Sequence, residues 1–285
     1  MSGVAWRSIC VLSALVALGG TPVRGGALQS GAFRLAPLPQ TEQMEWDLLG
    51  ALNRERITRD LAPLRMSLTL VRLGRAQSNE MAGRNALSHE SAAGSFSDRL
   101  ESAGVSFAAN AENIAQSGTL LADVIHRSFM ESPDHRANIL NPDFDEVGIG
   151  VVPGAATTYF VTEDFIKSVP QRTSEDIRSA VLQGLNAART AKRLPAIVSV
   201  PDADVAAEAL ASDRAAGLPL TQPPALAGQT RTRILAGPDL DKLVSAIEED
   251  DRDPSGAIGV GALFGRSDEY PGGAYFVCAI FVRIP

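Results

Sequence analysis

The chain has 285 residues, 45% of them hydrophobic and 21% charged, and a formal net charge of −7. That length holds one large domain or two ordinary ones, and the composition excludes both a disordered chain and a multi-span membrane protein. The acidic balance gives no electrostatic reason to bind nucleic acid or an anionic membrane, and it disfavours acidic substrates.

The N-terminus pairs a positive Arg7 with an apolar run at 9–18, followed by Gly19, Gly20 and Pro22. A bilayer span needs about 20 apolar residues, so this run reads as a secretory signal over 1–26, with an uncleaved N-terminal anchor as the alternative. The residues before Cys10 do not form a lipoprotein box. The expected location is secreted or periplasmic, with no integral membrane span once the signal is removed. Cys10 leaves with the signal, so only Cys278 remains and no internal disulfide can form. Cys278 lies in an apolar strand pattern at 274–282 and reads as a small buried hydrophobe.

A Gly- and Pro-bearing linker covers 27–40. Thr41 then reads as the N-cap of a helix over 41–59, with Met44, Leu48, Leu52 and Ile57 at near-helical spacing. A second helix is expected over 67–85, with Leu70, Leu73, Ala76, Met81 and Ala82 inward. A short one follows at 97–103, capped by Ser97 and ended by Gly104. Thr119 is the expected cap of a helix at 120–131 carrying Leu121, Val124, Ile125 and Phe129, which Pro133 ends. Runs at 147–152 and 157–166 are β-rich and joined by a Pro153-Gly154 turn, a hairpin pattern. Helices followed by strands predict an α+β fold with an antiparallel sheet.

The second half repeats the first weakly. Leu52-Asn53, Arg56 and Leu61 match Leu185-Asn186, Arg189 and Leu194 at one constant offset, which continues through Ala76/Ala209, Glu80/Asp213 and Ala82/Ala215. Val147-Gly148-Ile149-Gly150 likewise matches Ile258-Gly259-Val260-Gly261. Glycines at such strand positions permit close backbone approach. The pattern predicts a degenerate duplication, with domains at 41–168 and 174–285.

Chemistry-bearing residues are few. Of three histidines, His89 follows a helix and His135 follows a helix stop, both at element ends where functional side chains are presented. Glu112 stands between two expected helices. Two imidazoles and a carboxylate could form an open zinc-type site, act as general acid and base, or be hydrogen-bonded structural residues. His126 reads as a helix-face residue. The acidic run Glu248-Glu249-Asp250-Asp251 with Asp253 lacks the spacing of a calcium loop and reads as a solvated face or loop. Ser128 and Ser132 lie outside any Gly-x-Ser-x-Gly elbow, and no phosphate-binding Gly-rich loop follows a strand.

In order, Leu52-Asn53 with Arg56, Ser88-His89, the Gly94, Arg99 and Gly104 series, Ala111-Glu112-Asn113-Ile114-Ala115, Ser132-Pro133-Asp134-His135-Arg136-Ala137-Asn138-Ile139-Leu140 and Val147-Gly148-Ile149-Gly150 resemble a bacterial member of the CAP superfamily, the SCP-like proteins. The resemblance covers 45–166. It implies an α-β-α sandwich around an antiparallel sheet, and a groove lined by two His and two acidic residues that binds zinc or another divalent cation in some members. His89 and His135 fall on the histidine positions, with Glu112 on the first glutamate. The second glutamate position holds Ser132, with Glu131 beside it, and Phe129 stands where the family usually has Trp. The family has no uniform activity.

Gln222 takes the place of His89 in the second half, and the segment that would carry His135 is missing. A smaller, degenerate CAP-like repeat that packs or binds is expected there. The leading functional expectation is a binding module for a lipid, an envelope component or a protein at the cell envelope or outside the cell. The alternatives are a metal- or His/Glu-dependent hydrolase and a structural scaffold. No catalytic residue is assigned.

Overall fold

The computed structural model describes residues 39–220, 229–251 and 256–283. The expected signal, most of the linker, Gln222 and Asp253 lie outside them. The fold is α+β. The first half runs α1 (Gln40–Ile57), β1 (Arg65–Met66), α2 (Leu68–Arg84), α3 (Phe96–Ser102), β2 (Phe107–Ser117), α4 (Ala122–Glu131), α5 (Pro133–Ile139), β3 (Glu146–Pro153) and β4 (Tyr159–Ser168). The second runs α6 (Ser174–Ala191), β5 (Val198–Ser199), α7 (Pro201–Ala215), β6 (Gln229–Gly237), α8 (Leu240–Asp250), β7 (Ala257–Gly265) and β8 (Ala274–Arg283).

Each half builds one four-stranded sheet with the same logic. The first has the order β1-β3-β4-β2 and the second β5-β7-β8-β6. In each, a two-residue strand pairs parallel with its neighbour while the remaining pairs are antiparallel. In the first half, Met44, Leu48 and Leu52 of α1 join Ile125, Phe129 and Ile139 against Val147, Ile149, Val161 and Phe165 on one sheet face. On the other face, α2 and α3 bring Leu70, Phe96, Leu100 and Met81 against Phe107, Ile166, Ile114 and Phe160. The sheet is therefore sandwiched between helical layers. The second half does the same with α6 and α8 on one face and α7 on the other.

The constant offset between the halves has structural content. Asn53 ties its helix to the following loop by exchanging hydrogen bonds with the Leu64 backbone (2.8 and 3.0 Å), and Asn186 accepts from Ile197 N at 2.8 Å. Arg56 and Arg189 are both fully buried. Arg56 donates to the carbonyls of Ala62, Ile139, Asn141 and Phe144, whereas Arg189 donates to the Pro195 carbonyl and pairs with Asp251. Asp251 is thus buried, a correction to the solvated reading of the acidic run. A Cβ on Gly148 would overlap the Leu70 backbone, and one on Gly259 would overlap that of Ala203. Both strands admit a helix backbone at the same place.

Several local expectations change. Pro39, not Thr41, precedes the first helix, and Leu121, not Thr119, precedes α4. Ser95 rather than Ser97 caps α3, in a capping box with Asp98. Ile57, Leu121 and Val124 are exposed and Ala76 faces solvent, while Gly74, Gln77 and Ser78 point inward from α2. The β3–β4 turn is made by Ala155 to Thr158, with Ala156 and Thr157 at φ 49° and 61°. That is the geometry of a type I′ hairpin turn, which twists with the strands. The largest revision is β2. Its Ala- and Asn-rich sequence has little strand propensity, yet it pairs with β4 along its length.

Candidate functional site

Glu112 lies on β2, directly opposite Asp164 of β4, and not between helices as its sequence context implied. Side chains alternate across a strand, so Glu112 faces α2 and α3 while Asn113 faces α4 and α5. Each neighbour gathers a different cluster.

On the α2/α3 side, His89 is carried by the loop that leaves α2 through Asn85, which is left-handed at φ 50°. Gln77 Nε2 donates to the Ser88 carbonyl at 2.5 Å, and the Glu80 carboxylate accepts from Ala92 N at 2.8 Å. These bonds pin the loop. His89 Nδ1 is 2.8 Å from Glu112 Oε1. The His89 side chain is 58% exposed and that of Glu112 is 3% exposed, so the pair spans from core to surface. The other Glu112 oxygen binds the Arg99 guanidinium, which also donates to Gln77 Oε1. Arg99 is buried and lies 5.4 Å from the centre of the Phe96 ring. A buried carboxylate needs such a partner, because leaving either charge alone in the core is costly.

Asp164 completes this side. Burial first, and then the Glu112 charge, push its carboxyl well above the usual carboxylate range, against the pull of Arg99. Neither Asp164 oxygen meets a donor among the described residues. That shift favours the protonated carboxyl on Asp164 beside the Glu112 carboxylate.

On the opposite side, Asn113 donates to the His135 carbonyl (3.2 Å) and to Glu163 Oε2 (3.1 Å), and accepts from Asn138 Nδ2 (2.9 Å). Glu163 is wholly buried, and burial pushes its carboxyl up to about 7, opposed by the Asn113 bond. The His135 ring meets Phe129 edge-on, with centroids 5.2 Å apart. Burial first, and then repulsion from His89, lower its pKa, while Asp134 opposes them. His89 bonds Glu112 directly, and His135 is tied through its backbone to the adjacent residue.

The other candidates lie apart. Glu131 is exposed at the end of α4, and Ser132 sits at the junction of α4 and α5, where its backbone bridges Phe129 and Arg136. Neither side chain bonds the cluster. His126 is buried on α4 with both ring nitrogens unpartnered among the described residues, and burial lowers its pKa. Ser128 donates to the Ile125 carbonyl. Cys278 is buried in an apolar cluster that pushes its thiol up to about 12.

Sequence reasoning missed Gln77, Arg99, Asn113, Glu163 and Asp164 as site components. The legible signal was Thr162-Glu163-Asp164, two acids on opposite faces of a strand otherwise fit for burial. Aligning the paired glycines places Cys278, Ala279 and Ile280 at those positions in the second half. The same sheet thus forms there without acids at those strand positions.

Glu112 offers no free oxygen to a divalent cation as it stands. One Glu112 oxygen is held by Arg99 and the other by His89, and Arg99 already supplies positive charge beside the carboxylate. Among the described residues no three His, Cys, Asp or Glu side chains gather as a metal-holding group. None of the described helices is long and apolar enough to cross a membrane.

Residues 49–165 match the CAP family, described as the cysteine-rich secretory protein family. The uncharacterised protein YkwD of Bacillus subtilis (strain 168) is 39% identical over 101 residues, which cover 35% of this chain and 39% of YkwD. An extracellular SCP-domain protein from Bacillus anthracis is similar at 26% identity and a TM-score of 0.42, covering 47% of this chain and 45% of that one. A cysteine-rich secretory protein from Staphylococcus aureus is similar at 21% identity and a TM-score of 0.38, covering 46% and 41%. The chain spans well under half the length of the curated relative it matches.

Proposed function

We propose that the chain, whose residues 49–165 match the CAP family, is an exported binding module whose ligand seats against His89 and His135, backed by Glu112. The carrying observation is the asymmetry of the two halves. The second sheet forms with Cys278, Ala279 and Ile280 where the first buries Thr162, Glu163 and Asp164. Buried carboxyls are unfavourable unless paired, so folding alone gives no reason to keep them in one half. They occur in the half that carries both site histidines.

Binding fits the geometry better than hydrolysis. The Glu112 bond fixes His89 by Nδ1 and leaves the other edge of a largely exposed ring toward solvent. Neither Ser128 nor Ser132 stands beside a base as a nucleophile would. The ligand class is a lipid, an envelope component or a protein. Export rests on the apolar run at 9–18 with Arg7 before it. The second half reads as a diverged copy of the first, supported by the shared strand order, the Asn53/Asn186 tie and the Gly148/Gly259 contact.

The test is capture of envelope fractions and lipid vesicles by the purified protein, with and without zinc, beside a His89→Ala/His135→Ala variant of unchanged melting temperature. Capture lost in the variant supports the module, and equal capture by both overturns it. Turnover of peptide, ester or glycan substrates that disappears in His135→Ala would replace it with the hydrolase.

A further inference from the structure

Of the seven residues of α5, only Ile139 is buried. This helix cannot be held by apolar burial alone, and its polar ties carry the docking. Arg56 fixes its far end through the Ile139 carbonyl at 2.7 Å. Around His135 the tie to the sheet is the Asn113 amide, which meets the His135 carbonyl, the Asn138 side chain and Glu163. The partners admit one orientation of that amide: Nδ2 faces two oxygens and Oδ1 faces an amide nitrogen. Flipping the amide end for end would place oxygen against oxygen at two points.

Glu163 is what makes this orientation complete. It stands opposite Asn113 in the sheet register, and both are fully buried. With an apolar residue at 163, one Asn113 donor would lose its acceptor in a region that water does not reach, and one of the two oxygens that set the amide's orientation would be gone. The second half supplies the comparison. There Ala279 stands at the place of Glu163 and pairs with Arg233, and among the described residues no helix follows α8 as α5 follows α4. Carboxyl, amide and helix occur together in one half and are absent together from the other.

We propose that Glu163 is a positioning residue, orienting Asn113 so that the amide holds α5 with the His135 ring against Phe129. What α5 is held for rests on the binding reading above, but the holding itself is measured separately. Glu163→Val and Glu163→Gln would be compared with the wild type by amide hydrogen exchange and by the proton signals of the His135 ring. In Glu163→Val, exchange at Arg136 and Leu140 rises on the order of tenfold while β3 and β4 stay protected. The His135 signals lose the shift imposed by the Phe129 ring. Glu163→Gln keeps an acceptor for Asn113 and restores both readouts. A folded Glu163→Val protein with wild-type α5 exchange and unmoved His135 signals overturns the proposal. Should Glu163→Val fail to fold, Asn138→Leu removes another of the amide's three partners from outside the sheet and is read by the same two measurements. Faster α5 exchange with moved His135 signals supports the proposal, and wild-type behaviour in both overturns it. Ligand capture enters neither measurement, so failure of the binding reading and failure of this one are distinguishable.

Discussion

At Glu163 the protein buries a carboxyl group with a single hydrogen bond among the described residues, and this has a signed consequence for stability. Its pKa rises from 4.5 to about 7. Below 4.5 the folded and unfolded chains both hold the proton. Between 4.5 and about 7 the unfolded chain releases it and the folded chain keeps it, so stability falls as pH rises through that window. His126 and His135 act oppositely. Their folded pKa values are lowered from 6.5, so the unfolded chain gains its protons first and stability falls as pH drops below 6.5. Replacing Glu163 with Gln removes only the first effect. Relative to wild type, the variant should gain about 3 kcal/mol of stability on going from pH 4.5 to above 7, read from urea midpoints across that range. A stability difference independent of pH would mean that Glu163 is ionised in the folded protein. The residue scale is also where the sequence was least legible. Arg99 lies in the matched motif series, but nothing in its neighbours says that its guanidinium meets Glu112.

Between elements, the decisive contact is a helix backbone lying on a strand where side chains are missing. A methyl on Gly148 or Gly259 would meet main-chain atoms of α2 or α7, which cannot move aside as a flexible side chain can. Gly148→Ala and Gly259→Ala should each cost about 3 kcal/mol, the upper part of the range for overpacking. Gly83, also on α2, has nothing within 4 Å of its missing Cβ, so Gly83→Ala should stabilise by about 1 kcal/mol through helix propensity. Denaturant unfolding of the three variants separates these outcomes, and a harmless Gly148→Ala would contradict the close packing. The elements read correctly from sequence were those with apolar periodicity, among them α1, α2, β3 and β4. The strand β2 was lost because Ala and Asn carry no such signal. Its conformation is set by the ladder to β4, a partner distant along the chain.

Across the whole molecule, the two sandwiches lie in one compact unit joined by specific contacts. Phe107 N donates to the Gly272 carbonyl at 2.9 Å, Tyr275 donates to the Pro170 carbonyl at 2.6 Å, and Arg266 donates to the Glu101 and Val105 carbonyls at the end of α3. A Cβ at Gly272 would overlap the Phe107 carbonyl oxygen. Gly272→Ala should therefore loosen the junction and split a single calorimetric unfolding transition into two. An unchanged single transition with the same midpoint would show that the junction does not couple the halves. The sequence by itself determined the α+β class, the helices and strands with periodic apolar faces and the constant offset between the halves, and it singled out His89, Glu112 and His135 as candidates. These follow from patterns local along the chain. Only the tertiary structure decided that Arg99 neutralises Glu112, that Asp164 and Glu163 lie buried on opposite faces of one strand, and that Asn113 ties α5 to the sheet. Those facts depend on which strands become neighbours and in what register. A shift of one residue would exchange the two faces and scatter every one of these partners.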